Sequence, residues 1–469
     1  MPLLSEGHVR ETDAFTLRME RDPLLRSTIT AIASFDRAPR WEALVARVER
    51  ATRIVPSFRA KLVPSPLGLA PPSWVIDPDF DLSWHLRHVE APPPHTLDTV
   101  VEMARIAEMT AFDPARPRWE FTLVTGLAGG RAALLMKVHH ALTDGVGGIE
   151  LAAHVVDPQR RPADLGPMPE VPVAAGPPST GRLGEVIGFD LERWTQASVA
   201  LLGATPSFAA HLLRHPARTV GSAAATAASI ARFARPVVST RSPVMRARRL
   251  QCSLRLFDVP LADLKAAAAE VDGSLNDAFL AGVTGGLRRY HERHEAMAPT
   301  LRVTMPINVR KPGDAAGGNR ITLMRFDVPV AVTDPRARMR AIHEACAAVR
   351  EERSLPYSEL VAGLLNLLPP GVTGGMLKHV DFLASNVPGF PTPVYVGGAR
   401  IEGFHAFGPT IGASANITLM SHRGTCHLGV TTDNGAVPDA DAFLDCLREG
   451  FDEVVASAGT SAGRPRPKR

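Results

Sequence analysis

Between Asp157 and Pro178 the chain reads DPQRRPADLGPMPEVPVAAGPP, a proline-rich stretch that neither a helix interior nor a central strand can run through. It splits the sequence into two parts that each mix helical and strand periods. Before it, FTLRMERD reads as a short helix, STITAIASF as a β-branched strand, WEALVARVERATRIVPSF as an amphipathic helix and RAALLMKVHH as a buried strand. After it the chain is alanine-rich and helical in pattern to about Pro243. Strand and helix signals then return in RRLQCSLRLFDVP, LADLKAAAAEV, NDAFLAGVTGGLRRYHERH, LRVTMPINVR and ITLMRFDVPVAV, and close with RGTCHLGVTTDNG and DADAFLDCLREGFDEVVAS. The expected fold class is α/β. Residues 1–160 form one unit, 161–245 a partly helical connection, 246–458 a second unit and 459–469 a disordered basic tail.

The 469 residues are 45% hydrophobic and 21% charged, enough apolar content for two cored units. The net charge of +4 is carried by the tail, whose Arg464, Arg466, Lys468 and Arg469 account for all of it. A body near neutrality offers no basic groove for nucleic acid. Cys252, Cys346, Cys426 and Cys446 lie far apart with no C-x-x-C pair, which fits a reducing compartment rather than a disulfide or zinc framework. The N-terminus lacks an apolar leader, and no run reaches the ~18 apolar residues of a membrane span. A cytoplasmic protein is expected.

The chemistry concentrates in LLMKVHHALTDGVGG, Leu134 to Gly148. Successive side chains of a strand face opposite ways, so His139 and His140 cannot address one ligand: one belongs to the core and the other to a cavity. Adjacent histidines therefore make poor co-ligands, H-E-x-x-H is absent, and no metal is expected. The plainest reading is a buried histidine followed by an Asp-Gly turn that caps the next helix. Two histidines, a carboxylate four residues on and glycines such as Gly145 that permit close approach point further. A histidine with an ordinary pKa of about 6.5 is mostly neutral at pH 7 and can take a proton from a hydroxyl.

His139-His140-Ala141-Leu142-Thr143-Asp144-Gly145 matches the HHxxxDG motif of coenzyme A-dependent acyltransferases. Together with PSFRAKLVPSPLGLAPPSWVIDPDFDLSWHLRHV, GSLNDAFLAGVTGGLRRY, MPINVR, GGNRITLM, SNVPG and GPTIGASANITLMSHRGTCHLGVTTD, the chain resembles the bacterial wax ester synthase/acyl-CoA:diacylglycerol acyltransferase family over nearly its whole length. The resemblance implies two chloramphenicol-acetyltransferase-like domains with an active-site tunnel between them. It makes His140 the general base and His139 its support, and gives Asp144 a structural role paired with Arg310 in MPINVR. The substrates it implies are acyl-CoA and diacylglycerol or a long-chain alcohol, with no cofactor beyond the CoA thioester. Such acceptors would bring the enzyme to the inner face of the plasma membrane or to lipid droplets, and the stretch 187–238 and VAGLLNLLPPGVTGGML are candidates for lipid contact or for packing.

No G-x-S-x-G and no cysteine in a nucleophile motif offers a carrier for a covalent acyl group, so direct transfer is expected. The oxyanion then needs a donor, an interaction worth about 3 kcal/mol in other enzymes. Asn276 in GSLND and Ser385 and Asn386 in SNVPG are the candidates. Ser274 and Asp277 read as a helix capping box instead. The family's Pro-Leu-Trp block here reads Pro117-Arg118-Trp119, which bears on acceptor preference. Trp119 is a candidate substrate contact or ordinary core. Two alternatives keep the motif: a condensation-type enzyme with a carrier-bound donor and another hydroxyl or an amine as acceptor, or a non-catalytic lipid-binding relative.

Overall fold

The computed structural model describes residues 9–65, 71–142, 145–161, 164–172, 237, 239–308, 321–350, 366 and 370–459. Two six-stranded mixed sheets organise them. The first contains β1 (Thr28–Phe35), β4 (Leu86–Glu90), β5 (Trp119–Leu127), β6 (Arg131–His139), β11 (Tyr395–Val396) and β12 (Ala399–Phe407), in the order β11-β12-β1-β6-β5-β4. The second contains β7 (Cys252–Pro260), β8 (Thr300–Asn308), β9 (Ile321–Pro329), β10 (Phe382–Pro388), β13 (Ala415–His422) and β14 (Thr425–Asp433), in the order β7-β14-β13-β10-β8-β9. A hairpin of β2 (Ala60–Val63) and β3 (Ser73–Ile76) stands apart.

The α/β class holds, but the division at residue 246 needs correction. Strands β11 and β12 come from the second half of the chain and complete the first sheet, with β12 antiparallel to β1 from Thr30 opposite Phe407 to Phe35 opposite Ile401. Strand β1 has β6 on its other side, so without β12 it would be an unpaired edge. The crossing is sealed where Asp157 bridges Tyr395 backbone to backbone and, buried, takes the guanidinium of Arg47.

The helices are α1 (Glu11–Met19), α2 (Trp41–Ile54), α3 (Leu82–His85), α4 (Leu97–Met109), α5 (Gly145–Val155), α6 (Leu261–Ala269), α7 (Leu275–Arg293), α8 (Pro335–Arg350), α9 (Pro370–Leu377) and α10 (Ala440–Gly459). Helix α7 starts as its sequence requires: Ser274 and Asp277 form the reciprocal capping box. It lies buried between the second sheet, α8 and α10. Helix α4 packs against β1 and β6 of one sheet and β7 of the other. Of the two candidate lipid-contact stretches, 187–238 falls outside the described residues apart from Val237, while the end of the other forms α9, packed against α1. Among the described residues no helix is long and apolar enough to cross a membrane.

Candidate active site

Strand β6 delivers the two histidines, and their rings part as strand alternation demands. His139 is fully buried on one face, while His140, in the turn that follows, lines a cavity on the other. The cavity, of about 250 Å³, is walled by Ile29, Ala31, Ala33 and Phe35 of β1, by Leu134, Met136 and Val138 of β6, and by Phe404 and Ala406 of β12. Helix α5 adds Ile149, Leu151, Ala152 and Val155. The second sheet closes it with Ser385, Asn386 and Val387 of β10 and Asn416, Thr418 and Met420 of β13. It is thus built from both sheets: apolar walls of a kind that accept hydrocarbon, with a few polar groups on the side of the second sheet.

Those polar groups are not equivalent. The Asn416 amide donates to the Pro409 carbonyl at 2.8 Å and its oxygen accepts from the Thr418 hydroxyl at 3.2 Å, so Asn416 is spent on holding the loop before its own strand. Ser385 and Asn386 make no side-chain hydrogen bond with another described residue. Unlike Asn416, neither is committed to holding the cavity wall.

His139 is held firmly. Its Nδ1 accepts the Ala141 N–H at 3.0 Å, which leaves the proton on Nε2, and Nε2 donates to Glu20 Oε1 at 2.8 Å. The same carboxylate oxygen accepts the Ser27 N–H at 2.7 Å, and Arg118 reaches Oε2 at 3.3 Å. Burial pulls the Glu20 carboxyl upward, but the hydrogen bonds from His139 and Ser27, with the charge of Arg118, hold it below its ordinary value. Reading along the chain missed Glu20, which lies 119 residues from His139 with nothing local to mark it.

Several expected site residues stand elsewhere. Asn276 sits in the first turn of α7 with its amide toward Cys346 Sγ at 3.8 Å, outside the cavity lining, because the capping box commits that turn to the second core. Trp119 is core: fully buried, donating to the Phe58 carbonyl at 2.8 Å and stacked on His85 at 4.6 Å, it backs the wall without lining the cavity. Its neighbour Arg118 faces Glu20 and is likewise absent from the lining. Asp144 and Arg310 lie outside the described residues, and Gly145 is the first residue of α5.

Away from the cavity, Asp258, His405 and His427 bring their donor atoms within 4.8 Å of one another. Burial pulls the Asp258 carboxyl up, yet hydrogen bonds from both rings to Oδ1, each 2.8 Å, hold it well below the usual carboxylate range. A cation taking those ring nitrogens would move the protons to His405 Nδ1 and His427 Nε2, both buried without an acceptor among the described residues. The trio suits hydrogen bonding between the sheets better than a metal.

With this geometry in view, residues 10–279 match the wax ester synthase/diacylglycerol acyltransferase catalytic domain and residues 317–454 the C-terminal domain of the same family. The chain belongs to the wax ester synthase/diacylglycerol acyltransferase family. It is an acyltransferase. A Mycobacterium tuberculosis (strain ATCC 25618 / H37Rv) protein provisionally named a diacylglycerol O-acyltransferase is 38% identical over 99% of this chain and 95% of its own. Another such protein from that strain is 28% identical over 90% of each. In fold the chain is similar to the wax ester synthase/diacylglycerol acyltransferase of Marinobacter aquaeolei VT8, with a TM-score of 0.63 at 20% identity over 97% of this chain and 100% of that one. The first condensation domain of the calcium-dependent antibiotic synthetase gives 0.61 at 16% identity over 97% and 96%. The family therefore shares its two-sheet architecture with condensation domains.

Proposed function

We propose that the protein moves a long-chain acyl group from acyl-CoA directly onto the hydroxyl of diacylglycerol or of a long-chain alcohol, with His140 as general base. The observation that carries the reading is the placement of His140 on the wall of an apolar cavity built from both sheets, whose lining also includes Ser385 and Asn386. The imidazole takes the acceptor's proton, and the oxygen attacks the thioester carbonyl. Ser385 or Asn386 donates to the oxyanion. Collapse expels CoA thiolate, which recovers the proton from His140.

Direct transfer is supported by the cysteines as well. None lines the cavity, and burial pushes the Cys346 thiol up to about 11 and Cys426 to about 12, away from the thiolate a nucleophile needs. No cofactor is needed for these steps. Because the acceptors dissolve in lipid, the enzyme is proposed to work from the cytoplasm at a membrane or droplet surface. Flotation with vesicles containing dioleoylglycerol tests this, and a protein left wholly in the aqueous layer refutes it.

The deciding assay is CoA-thiol release from palmitoyl-CoA with hexadecanol or dioleoylglycerol, product identified, for the native protein and His140→Ala. Acceptor-dependent release that the substitution abolishes is expected. Release that survives it removes His140 as base, and no release from folded protein with either acceptor refutes the neutral-lipid assignment.

A further inference from the structure

We propose that Glu20 is the positioning residue of the histidine turn: a single oxygen of its carboxylate holds His139 and Ser27, and through them fixes the backbone on both sides of His140. The inference rests on the reading of His140 as base. Glu20 Oε1 accepts from Ser27 N and from His139 Nε2. Each of these partners then grips the turn. The Ser27 carbonyl accepts the N–H of His140 itself at 2.9 Å, and His139 Nδ1 accepts the N–H of Ala141 at 3.0 Å. Both amides flanking the His140 α-carbon are thereby tied to groups that share one anchor.

The need for such an anchor is geometric. β6 ends at His139, so His140 lies past the last ladder pair: strand alternation sets the side its ring takes, but the ladder no longer holds its backbone in place. A base displaced by about 1 Å can lose on the order of 100-fold in rate. The second oxygen of Glu20 takes no part in these two bonds and faces Arg118. Glu20 does not line the cavity, and so acts through the turn rather than on substrate.

One oxygen accepting two hydrogen bonds makes a prediction that charge alone does not. Glu20→Gln loses the charge but keeps an oxygen that can occupy the Oε1 position. Glu20→Asp keeps the charge but withdraws both oxygens by about 1.5 Å, one carbon–carbon bond. Positioning therefore ranks Gln above Asp, the reverse of a charge effect. In the CoA-release assay, Glu20→Gln is expected to stay within about threefold of native kcat, while Glu20→Asp and Glu20→Leu fall about 10- to 100-fold with the KM for palmitoyl-CoA within about twofold. Hydrogen exchange of the peptide spanning residues 138–142, followed by mass spectrometry, is expected to accelerate in the Asp and Leu variants and to be unchanged in Gln. Should the Leu variant fail to fold, the Gln and Asp pair still decides. Asp equal to or better than Gln, or exchange that the substitutions leave untouched, overturns the proposal. His140→Ala run alongside separates the two readings: if it still releases CoA the base assignment fails, while the exchange data continue to test what Glu20 holds.

Discussion

At the residue scale, the pair His139-His140 is explained by nothing more than the period of a strand, which sends one ring to a carboxylate and the other to a cavity. The oxyanion donor is less local. Of Ser385→Ala and Asn386→Ala, the one that removes the donor is expected to cost about 100-fold or more in kcat and the other less than tenfold. Losses below tenfold in both, measured by steady-state CoA release, would place the donor elsewhere. Glu108 poses a separate question. Its carboxyl is fully buried with a single long hydrogen bond from Thr30 at 3.5 Å, and burial pushes its pKa well up. A carboxyl raised in the folded state but ordinary when unfolded carries no penalty below the ordinary carboxylate range, and an increasing one as pH rises above it. Glu108→Gln is therefore expected to raise Tm at about pH 8 and to leave it unchanged near pH 4. An equal shift at both values would show that the carboxyl does not titrate as its burial requires.

At the element scale, the block AFLAGVTGGLRRY owes its glycines to helix packing rather than to substrate. A Cβ on Gly286 of α7 would lie 2.6 Å from the Leu447 α-carbon, and one on Gly450 of α10 would lie 2.3 Å from the Gly286 nitrogen. Backbone cannot yield at such distances, so Gly286→Ala is expected to cost at least about 2 kcal/mol in urea unfolding, and a cost under about 0.5 would show that the two helices can part. The capping box at Ser274 was legible because it lies within four residues. The role of Asn276 was not: an Asn at a helix start reads alike whether the turn opens on a cavity or, as here, on Cys346. Trp119 shows the same limit. A large aromatic heading a strand can back a site or line it, and only the stack on His85 and the bond to Phe58 place it in the core.

At the scale of the whole molecule, the first sheet is completed by residues from the second half of the chain. A fragment of residues 1–245 has no β12 to cover β1 and is expected to be insoluble, or to lack a cooperative unfolding transition by circular dichroism. A soluble, cooperatively folding fragment would show that β1 tolerates an open edge. Between the sheets, Asp258 of β7 ties His427 of its own sheet to His405 of β12. By itself the sequence determined the α/β class, the strand that ends in two histidines, their opposite faces and the capped helix, because strand period and caps are written within a few residues of one another. Tertiary structure alone decided that β12 crosses to the first sheet, that Asn276 is remote and that Ser385 and Asn386 line the same cavity as His140. It alone placed Glu20 beneath the histidine turn. Each of these depends on which distant segments meet, and a sheet edge or a buried donor accepts any partner of suitable geometry, whatever its distance along the chain.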